Sequence, residues 1–584
     1  MNEEDLAAAR HTLAHLLAAA VHEMYPHAKP TLGPAIDTGF YYDFDFTGGD
    51  KPGDGDLTKL EQKMRELLKQ WDRVEGEEVS IEAARERFKS NEYKCELIDE
   101  IVERGEGTTF YHSKHEDEIV FTDLCRGGHT GAPASELKSL GFKLDRIAGA
   151  YWRGDENNAM LTRIYGLAFE SKDKLKEYEQ MLQEAKKRDH RKLGKELDLF
   201  TFSDLVGPGL PLWTPRGTIV RNELDAFVWD LRSKYDYQKV TIPHITKKDL
   251  YVTSGHWEKF ADELFRIATR EGREYALKPM NCPHHTQIFA RQPHSYRDMP
   301  QRYAETTMVY RDEQSGELGG LTRVLSITQD DSHVFCRRNQ IKEEFFAIWD
   351  IIEKLYSAFD IPLKVRLSFH DPDEMDKYLG DEAVWKDAEQ SLRELAEARD
   401  IEYYEAPGEA AMYGPKLDFV GTDSIGREHQ VATIQLDMNL PERFDLYCIN
   451  EEGEHERIVM IHSAIMGSIE RFAALLIEHL GGVFPFWLAP EQIRVLPIAE
   501  PHQAHAKEVM SKLHAAGIRA TMDDSGDSLG KRIRACKVAK LPYFAVIGDA
   551  EVKNGGVTLE GETKEEHTVA SLVQLLTLKN TTRQ

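Results

Sequence analysis

No single hydrophobic core can serve a chain of 584 residues, and this constrains the architecture more than any local motif does. Because a domain of typical size holds one core, this length predicts roughly three to five domains. Changes in residue pattern place the expected domains at residues 1–170, 171–197, 198–487 and 488–584. Helix-forming and strand-forming runs occur in every long segment, so we expect a multidomain α+β protein.

The composition argues against several classes of protein. Lys and Arg number 74 and Asp and Glu 101, which gives a net charge of −27. We expect no DNA partner, because phosphate contacts need clustered basic residues, although local basic patches can still bind RNA. No apolar run is long enough to span a bilayer, and the first residues are acidic rather than basic, so we expect neither a membrane segment nor a secretory signal. Six scattered cysteines do not suggest a disulfide framework, and a cytoplasmic protein is expected.

Three further segments have a recognisable organisation. The highly charged stretch 172–197 predicts a connecting helix, whose basic run 186–192 either faces solvent or contacts an RNA backbone. The segment 485–490 has proline at both ends and suggests a hinge or linker. Beyond it, strands and helices alternate, which predicts a small α/β domain with right-handed crossovers.

The central region contains three segments that are weak signals singly. A long helix expected at 219–234 is followed by a strand that ends at Pro243. Two strands and a loop are expected around Arg311-Asp-Glu313 and Arg323, where cross-strand salt bridges alone would also explain the pattern. The run Gly467-Ser-Ile-Glu-Arg471 enters a helix whose amino terminus can approach a nucleotide.

Cysteine and histidine residues form two further patterns. Cys282, His333 and His462 lie far apart in sequence, and each by itself is best explained as a buried residue. Near the amino terminus, an HxxxH pair on a predicted helix (residues 5–25) is matched by a CxxxH pair about 110 residues later. The members of these two pairs are His11, His15, Cys125 and His129. A zinc-protease site fits poorly, because His11-Thr-Leu-Ala-His15 lacks the glutamate of HExxH.

In this order and spacing, the three central segments resemble the signature motifs of class II aminoacyl-tRNA synthetases. The segments around Cys282, Arg311, Gln329–His333, Tyr413-Gly-Pro-Lys416 and His462–Arg471 more specifically resemble the threonyl-tRNA synthetases, and the likeness extends from about residue 10 to the carboxyl terminus. The resemblance implies a class II catalytic core built on an antiparallel sheet (198–487), an α+β editing domain (1–170) and an α/β anticodon-binding domain (488–584). It also implies a homodimer that binds L-threonine, ATP with Mg²⁺, and a threonine-accepting tRNA.

The resemblance carries residue roles onto this sequence. Cys282, His333 and His462 are expected to bind one Zn²⁺ per chain, since three protein ligands leave one tetrahedral position for a substrate. The substrate pocket is expected to contain Met280, Gln329, Asp331, Tyr413 and Gln435. ATP is expected to contact Arg311, Glu313, Arg323, Gln430 and Arg471, with Arg311 and Lys416 as catalytic groups.

A zinc ion that selects threonine by its hydroxyl group also explains why a second, editing site is expected. Valine lacks the hydroxyl ligand, whereas serine retains it and loses only a methyl group, which is worth only about 1–3 kcal/mol. Mischarged seryl-tRNA therefore needs hydrolytic editing, for which the resemblance implies His11, His15, Lys94, Asp123, Cys125 and His129. These groups can bind a metal or position a water without one; the resemblance favours the second.

The sequence departs from the family pattern at several places. The ubiquitin-like domain with which most bacterial members begin is expected to be absent. Ile327 stands where an aromatic residue is usual near adenine, Gly128 replaces the proline of CRGPH, and His284 replaces the glycine of CPGH. His284 is expected to be a neighbouring polar residue rather than an added ligand. The rival hypotheses are a prolyl or seryl enzyme of the same class and a noncatalytic RNA-binding paralogue.

Overall fold

Hydrophobic residues gather into separate cores, as the length of the chain requires. The structure is a computed structural model that describes residues 2–155, 157–561 and 563–583. The chain divides into two compact units, residues 1–183 and 184–584.

The first unit contains two antiparallel sheets and the helices that cover them. Its helices are α1 (Glu3–Met24), α2 (Leu57–Leu68), α3 (Ile81–Phe88), α4 (Glu92–Glu103), α5 (Pro133–Glu136) and α6 (Lys172–Arg188), the last of which continues into the second unit. Its strands are β1 (Lys29–Pro30), β2 (Ala35–Ile36), β3 (Gly39–Asp45), β4 (Arg73–Val79), β5 (Thr108–His115), β6 (Glu118–Leu124), β7 (Gly141–Tyr151) and β8 (Met160–Phe169). One sheet has the order β1-β3-β8-β7, with β2 paired to β3, and the other has the order β4-β5-β6.

Helix α1 confirms the helix expected at 5–25. It begins in a capping box, in which the Asn2 side chain accepts from the Asp5 backbone and the Asp5 side chain accepts from that of Asn2. An alanine-rich and leucine-rich stretch then buries Ala9 and the residues from Thr12 to Val21 against α2 and β3. The buried part of the helix includes His15, which therefore faces the interior of this unit.

The expected connector consists of two helices rather than one. Helix α6 ends at Arg188, and α7 (His190–Glu196) begins after Asp189, whose side chain accepts from the Arg191 backbone as an N-cap. Two residues of the basic run, Arg188 and His190, are neither freely exposed to solvent nor available to contact RNA. Arg188 donates to the backbone oxygen of His479, at 2.9 Å, and the His190 side chain is buried.

The second unit is built around an eight-stranded sheet. Its helices after α7 are α8 (Pro215–Arg232), α9 (Lys248–Ser254), α10 (His256–Lys259), α11 (Cys282–Ala290), α12 (Ile341–Ser357), α13 (Glu382–Ala398), α14 (Asn439–Arg443), α15 (Ile469–His479), α16 (Gln503–Ala515), α17 (Leu529–Val538), α18 (Asp549–Asn554) and α19 (Val569–Thr582). Short 3₁₀ helices in the chain cover Asp54–Asp56, Trp152–Gly154, Ser233–Tyr235, Tyr296–Asp298, Ser315–Glu317, Arg338–Gln340, Pro372–Lys377 and Glu500–His502.

The strands of the second unit are β9 (Phe200–Thr201), β10 (Leu212–Trp213), β11 (Gln238–Lys239), β12 (Ile245–Lys247), β13 (Arg266–Ala268), β14 (Glu274–Leu277), β15 (Gln301–Tyr310), β16 (Ser326–Cys336), β17 (Leu363–Phe369), β18 (Tyr403–Pro407), β19 (Lys416–Thr422), β20 (Glu428–Asp437), β21 (Tyr447–Ile449), β22 (His455–Arg457), β23 (Val459–Ser468), β24 (Ile493–Pro497), β25 (Ala520–Met522), β26 (Tyr543–Ile547), β27 (Gly556–Glu560) and β28 (Lys564–Thr568). The large sheet has the order β11-β15-β16-β23-β20-β19-β17-β18, antiparallel except at its two outermost pairs. Smaller sheets join β9 with β10, β21 with β22, and β12, β13 and β14.

The three signature segments occupy the expected kinds of element in this sheet. The helix expected at 219–234 is α8, and the strand after it, β11, ends at Lys239 rather than at Pro243. The expected two strands are β15 and β16, but Arg311, Glu313 and Arg323 lie in the long loop that joins them rather than on the strands. Between β16 and β23 the register shifts beyond Gln329, and the buried Asp330 carboxylate accepts from the backbone of Ile465 and Met466 there. This irregularity leads directly into α15.

The carboxyl-terminal region is the expected small α/β domain. Its sheet has the order β25-β24-β26-β27-β28, in which the first three strands are parallel and the last two pairs are antiparallel. The segment 485–490, expected to be a hinge or linker, precedes this domain, and its residues Trp487 and Leu488 are buried in the core of the catalytic region. Arg532 of the basic helix α17 is also buried and donates to the Pro497 backbone oxygen at 2.8 Å, so it is not free for phosphate.

In the described part of the chain, no helix combines the length and the apolar composition that crossing a membrane requires.

Candidate active site

One row of side chains crosses four neighbouring strands of the large sheet. His333 on β16 pairs with His462 on β23, which pairs with Gln435 on β20, and Gln435 pairs with Lys416 on β19. Paired residues of antiparallel strands point to the same face, so these four side chains form a continuous strip. Asp331 and Gln329 lie two and four positions before His333 on β16 and extend the strip along that strand.

Cys282 completes a cluster with two members of this strip. It is the first residue of α11, and the possible ligand atoms of Cys282, His333 and His462 all lie within 4.8 Å of one another. His462 Nε2 lies 2.8 Å from Asp437 Oδ2, and His333 Nδ1 lies 2.7 Å from His285 Nδ1. Such contacts fix the orientation of each ring and leave its other nitrogen for a metal.

The donor set fits zinc. One thiol and two imidazoles within a few ångströms match the ligands that Zn²⁺ takes in proteins, and three of them leave an open position. Burial lowers the pKa of His333 well below its usual value, which keeps its imidazole neutral as a metal ligand requires. Burial raises the pKa of the Cys282 thiol well above its usual range, and a cation bound there would favour the thiolate instead.

Polar residues expected in the substrate pocket lie beside this cluster. Asp331 Oδ2 accepts a hydrogen bond from Asn281 Nδ2 at 2.9 Å, and Oδ1 lies 3.8 Å from His333 Nε2. Tyr413 stacks on the His462 ring with 4.5 Å between centroids, and its hydroxyl donates to Gln435 Oε1 at 2.6 Å. Asp331, Tyr413 and Gln435 thus surround the cluster with groups that can form hydrogen bonds to a small polar ligand.

Met280 also lies next to the metal cluster. Its sulfur is 3.2 Å from His256 Nε2, and that same nitrogen is 3.9 Å from Cys282 Sγ. Burial lowers the pKa of His256 to about 3, so this side chain is neutral. His256 thus lies at the edge of the cluster without being one of the three residues grouped there.

A cavity of about 330 Å³ adjoins the strip at Gln329 and Lys416. Five residues expected to contact ATP line it, namely Arg311, Glu313, Arg323, Gln430 and Arg471. Arg323 forms an ion pair with Glu313 at 2.6 Å, but both residues lie in the loop between β15 and β16, so this is not the cross-strand salt bridge considered as an alternative. Arg471 Nε donates to the Thr322 backbone oxygen at 3.1 Å, which fastens α15 to the loop between β15 and β16.

Two departures from the family pattern now have locations. Ile327 lines the cavity, where it offers an aliphatic rather than an aromatic surface. His284 contacts the Thr246 hydroxyl through Nε2 and does not belong to the cluster of Cys282, His333 and His462 found among the described residues. The expectation that His284 is a neighbouring polar residue agrees with this position.

Several residues that support these groups were not predicted from the sequence. They are His256, Asn281, His285 and Asp437, together with Lys278, whose charge acts on Asp331. Asn281 and His285 flank Cys282 in Met280-Asn-Cys-Pro-His-His285, so closeness to the cysteine was a usable signal. Lys278, His256 and Asp437 become neighbours of the site only through the folding of the sheet.

The residues of the two amino-terminal pairs form a second cluster, in the first unit. Ligand atoms of His11, His15, Cys125 and His129 lie within 4.8 Å of one another. Cys125 Sγ is 3.4 Å from His11 Nε2 and 3.3 Å from His129 Nε2. Burial lowers the pKa of His129 to about 2 and raises that of the Cys125 thiol to about 11.

A buried ion pair adjoins this second cluster. Lys94 Nζ lies 2.6 Å from Asp123 Oδ1, and both side chains are almost fully buried. The Tyr42 hydroxyl donates to Asp123 Oδ2 at 2.5 Å, and His15 Nδ1 lies 3.9 Å from the same oxygen. Lys94 and Asp123 are therefore next to the histidines, as expected, while Tyr42 is an additional member that no sequence pattern indicated.

The glycine at position 128 has a structural reason. Gly127 and Gly128 have φ angles of 105° and 78°, which L-residues rarely adopt. Proline fixes φ near −65°, so the CRGPH form of the motif cannot take this backbone path.

Comparison with protein families identifies the class of protein. Residues 265–480 match the tRNA synthetase class II core domain (G, H, P, S and T), and residues 492–578 match the anticodon binding domain. The eight-stranded, mainly antiparallel sheet and the small α/β domain have the folds that these matches imply. The expected fold class, a class II synthetase core with an anticodon-binding domain, is confirmed.

Individual relatives narrow the class to one family. A threonine–tRNA ligase of Gloeobacter violaceus is 46% identical over 572 residues, which cover 96% of this chain and 90% of that protein. One of Bacteroides thetaiotaomicron is 47% identical over 565 residues, covering 96% and 85%. The chain belongs to the threonyl-tRNA synthetase family, so the expected activity, ligation of threonine to tRNA, is confirmed.

Solved structures agree with this assignment. The RNA binding domain of threonyl-tRNA synthetase from Cryptosporidium parvum Iowa II is 37% identical with a TM-score of 0.65, and covers 67% of this chain and 98% of that one. A putative threonyl-tRNA synthetase from Aeropyrum pernix is 28% identical with a TM-score of 0.60, covering 68% and 97%. A prolyl-tRNA synthetase from Cryptosporidium parvum, at 16% identity with a TM-score of 0.51, covers 68% and 78% and shares the fold alone.

Proposed function

We propose that the cavity and the Cys282 cluster together form the site where threonine is activated by ATP. The observation that carries this proposal is the strip of paired residues His333, His462, Gln435 and Lys416. One end of the strip belongs to the metal cluster, and the other end lines the cavity. The two substrates, threonine and ATP, would therefore lie side by side on one face of the sheet.

We assign ATP to the cavity of about 330 Å³. Arg311 and Lys416 would stabilise the charge that develops on the α-phosphate while the threonine carboxylate attacks it and pyrophosphate leaves. Arg323 would reach the distal phosphates after exchanging its ion pair with Glu313, which is then free to accept from the adenine amino group. Arg471 would cover the base. The Mg²⁺ expected with ATP would neutralise phosphate charge.

Threonine would bind at the cluster of Cys282, His333 and His462. These three residues would hold a zinc ion, which would supply a Lewis acid for the substrate's amino and hydroxyl groups. Asp331, oriented by Asn281, would accept the hydrogen bond of the substrate hydroxyl. Tyr413 and Gln435, which are hydrogen-bonded to each other, would close the side of the pocket nearer the cavity. Valine cannot make the hydroxyl contacts and would be rejected for that reason.

We further propose that the second cluster hydrolyses seryl-tRNA without a metal. Both ring nitrogens of His129 already have protein partners, because Nδ1 contacts Thr12 and Nε2 contacts Cys125, at 3.3 Å in both cases. The Lys94 ammonium next to Asp123 offers a positive charge to the ester or to the terminal ribose. Neutral His11 and His15 would then orient the attacking water.

The remaining roles follow from the family. The domain at 488–584 would contact the anticodon stem, with exposed basic residues such as Lys531 and Arg534 near the phosphates. A homodimer is proposed, and the exposed apolar side chains of Leu205 and Val206 in the segment before α8 offer surface for it. We place the enzyme in the cytoplasm. Light scattering of the purified protein would test the dimer, and a monomeric mass at micromolar concentration would refute it.

The test of the activation site is amino-acid-dependent exchange of pyrophosphate into ATP, measured with threonine, serine, valine and proline on metal-analysed protein. We expect the strongest exchange with threonine, weaker exchange with serine and almost none with valine or proline, at about one zinc per chain. Cys282→Ala should lose both zinc and exchange while its circular dichroism is unchanged. Cys448→Ala, which removes a buried thiol outside the cluster, is the matched control. Full exchange in zinc-free protein would refute the assignment.

The editing site needs a separate test. The double variant His15→Ala/Cys125→Ala should accumulate seryl-tRNA at an unchanged rate of threonine activation, while Cys95→Ala, at a thiol outside the cluster, should not. Equal deacylation of seryl-tRNA by the double variant and the wild type would remove the editing claim. A second zinc per chain that disappears in the double variant would overturn the metal-free mechanism.

A further inference from the structure

His190 lies outside the proposed ATP cavity and is buried at the start of α7. Asp189, His190 and Glu478 present their possible ligand atoms within 4.8 Å of one another, so this group resembles a metal site at first sight. Its hydrogen bonds argue otherwise, because both nitrogens of the His190 ring already have protein partners. The group therefore needs an explanation that uses those bonds.

The hydrogen bonds around His190 determine which ring nitrogen carries the proton. Its backbone N–H donates to Glu478 Oε1 at 3.0 Å, and Nδ1 lies 2.6 Å from the same carboxylate oxygen. A carboxylate only accepts, so Nδ1 must carry a hydrogen. Nε2 is then free to accept, and the Leu321 backbone N–H donates to it at 3.1 Å. Arg427 pairs with the other oxygen of Glu478 and holds the carboxylate in place.

Leu321 belongs to the loop that borders the ATP cavity. Its side chain is fully buried, and the next two residues, Thr322 and Arg323, both line the cavity. The Thr322 backbone oxygen accepts from Arg471, and Arg323 pairs with Glu313. The amide that His190 holds is thus one residue away from the groups proposed to contact ATP.

The loop also presses closely against the imidazole. A Cβ atom added to Gly320 would lie 2.4 Å from His190 Nε2 and 2.8 Å from Arg191 Cγ. Gly320 has a φ of 58°, so both its conformation and its closeness to α7 call for glycine. Helix α7 therefore forms the surface on which this part of the loop rests.

We propose that His190, oriented by Glu478, is a positioning residue that holds the loop 319–323 in the conformation that binds ATP. The inference rests on the proposed assignment of ATP to the adjoining cavity. Loss of the acceptor would leave the Leu321 amide buried and unpaired, a cost that the loop avoids by moving away from the cavity. The effect should fall on ATP rather than on threonine, because among the described residues His190 bonds to Glu478 and Leu321 and not to the metal cluster or the residues proposed to surround threonine.

Two substitutions separate the hydrogen bonds of the ring. His190→Asn keeps a donor near the Nδ1 position, for Glu478, but has no acceptor that reaches Leu321. His190→Gln places its amide oxygen near the Nε2 position, where it can accept from Leu321. Glu196→Gln, at an exposed position on the same helix, is the control.

The measurement is pyrophosphate exchange without tRNA, with the KM values for ATP and for threonine determined separately. We expect His190→Asn to raise the KM for ATP about tenfold, as loss of one buried hydrogen bond implies, with the KM for threonine unchanged. His190→Gln should restore most of the ATP affinity, and Glu196→Gln should behave as wild type.

Equal KM values for ATP in the Asn and Gln variants would overturn the inference, and so would an equal rise in the KM values for ATP and threonine. Arg311→Ala serves as a marker of the ATP site itself. Full exchange in Arg311→Ala would refute the proposed cavity, which is a result distinct from any pattern among the His190 variants.

Discussion

Replacing Asp437 with asparagine tests whether the surroundings of the proposed zinc site set its affinity. Asp437 is fully buried, and its Oδ2 lies 2.8 Å from His462 Nε2. Its other oxygen accepts from the backbone of Asn439 and Leu440, at 2.8 and 2.9 Å. All three partners must donate, so the single amide oxygen of asparagine cannot satisfy both sides. The amide nitrogen would face either the His462 N–H or the two backbone N–H groups.

The expected cost falls mainly on the metal. Removing the partner of a ligand histidine typically weakens metal binding about 10- to 100-fold, or roughly 1.4–2.7 kcal/mol. Asp437→Asn should therefore bind zinc more weakly than the wild type by a factor within that range, with the amide oxygen still accepting from the backbone of Asn439 and Leu440 and the amide nitrogen facing His462. Competition with a chromogenic chelator measures the zinc affinity, and circular dichroism checks the fold.

A surface aspartate provides the control for this experiment. Asp445 pairs with Arg457, and its side chain is 79% exposed. Asp445→Asn should leave zinc affinity unchanged. A zinc affinity of Asp437→Asn within twofold of the wild type would refute the argument that Asp437 holds His462 as a ligand, and so would an equal loss in both variants.

Two further predictions concern other parts of the chain. Burial lowers the pKa of Lys278 from 10.5 to about 8. Above pH 8 the unfolded chain therefore binds more protons than the folded chain, and the free energy of unfolding rises with pH. We expect the stability of the wild type relative to Lys278→Met to rise by about 3 kcal/mol between pH 8 and 10.5. Thermal unfolding across that range checks this, and a constant or falling difference would contradict it. Gly128→Pro should cost roughly 1–3 kcal/mol and impair seryl-tRNA deacylation, because proline cannot adopt a φ of 78°, while leaving threonine activation unchanged. Wild-type deacylation by Gly128→Pro would show that the loop tolerates another path.

Local pattern alone predicted much of the secondary structure. The helix α1, the alternating elements of the carboxyl-terminal domain and the two strands β15 and β16 were all expected, because apolar periodicity, turn residues and capping residues act over a few positions. Local pattern did not indicate the packing of Pro485–Pro490, which was expected to be a hinge or linker and in which Trp487 is buried. Whether a proline-rich segment is exposed depends on distant residues that pack against it.

The residues of the active site also differ in how far the sequence predicts them. Single residues such as Arg311, Cys282 and His462 were found through their resemblance to a family, since nothing in their spacing joins them. These residues lie close together because of strand register. His333 contacts His462 only because β16 and β23 are paired, although 129 positions separate the two residues in the sequence. Asp437, His285 and His190 had no sequence signal strong enough to mark them. Their roles come from hydrogen bonds between distant parts of the chain, which exist only once tertiary packing has excluded water and oriented each ring.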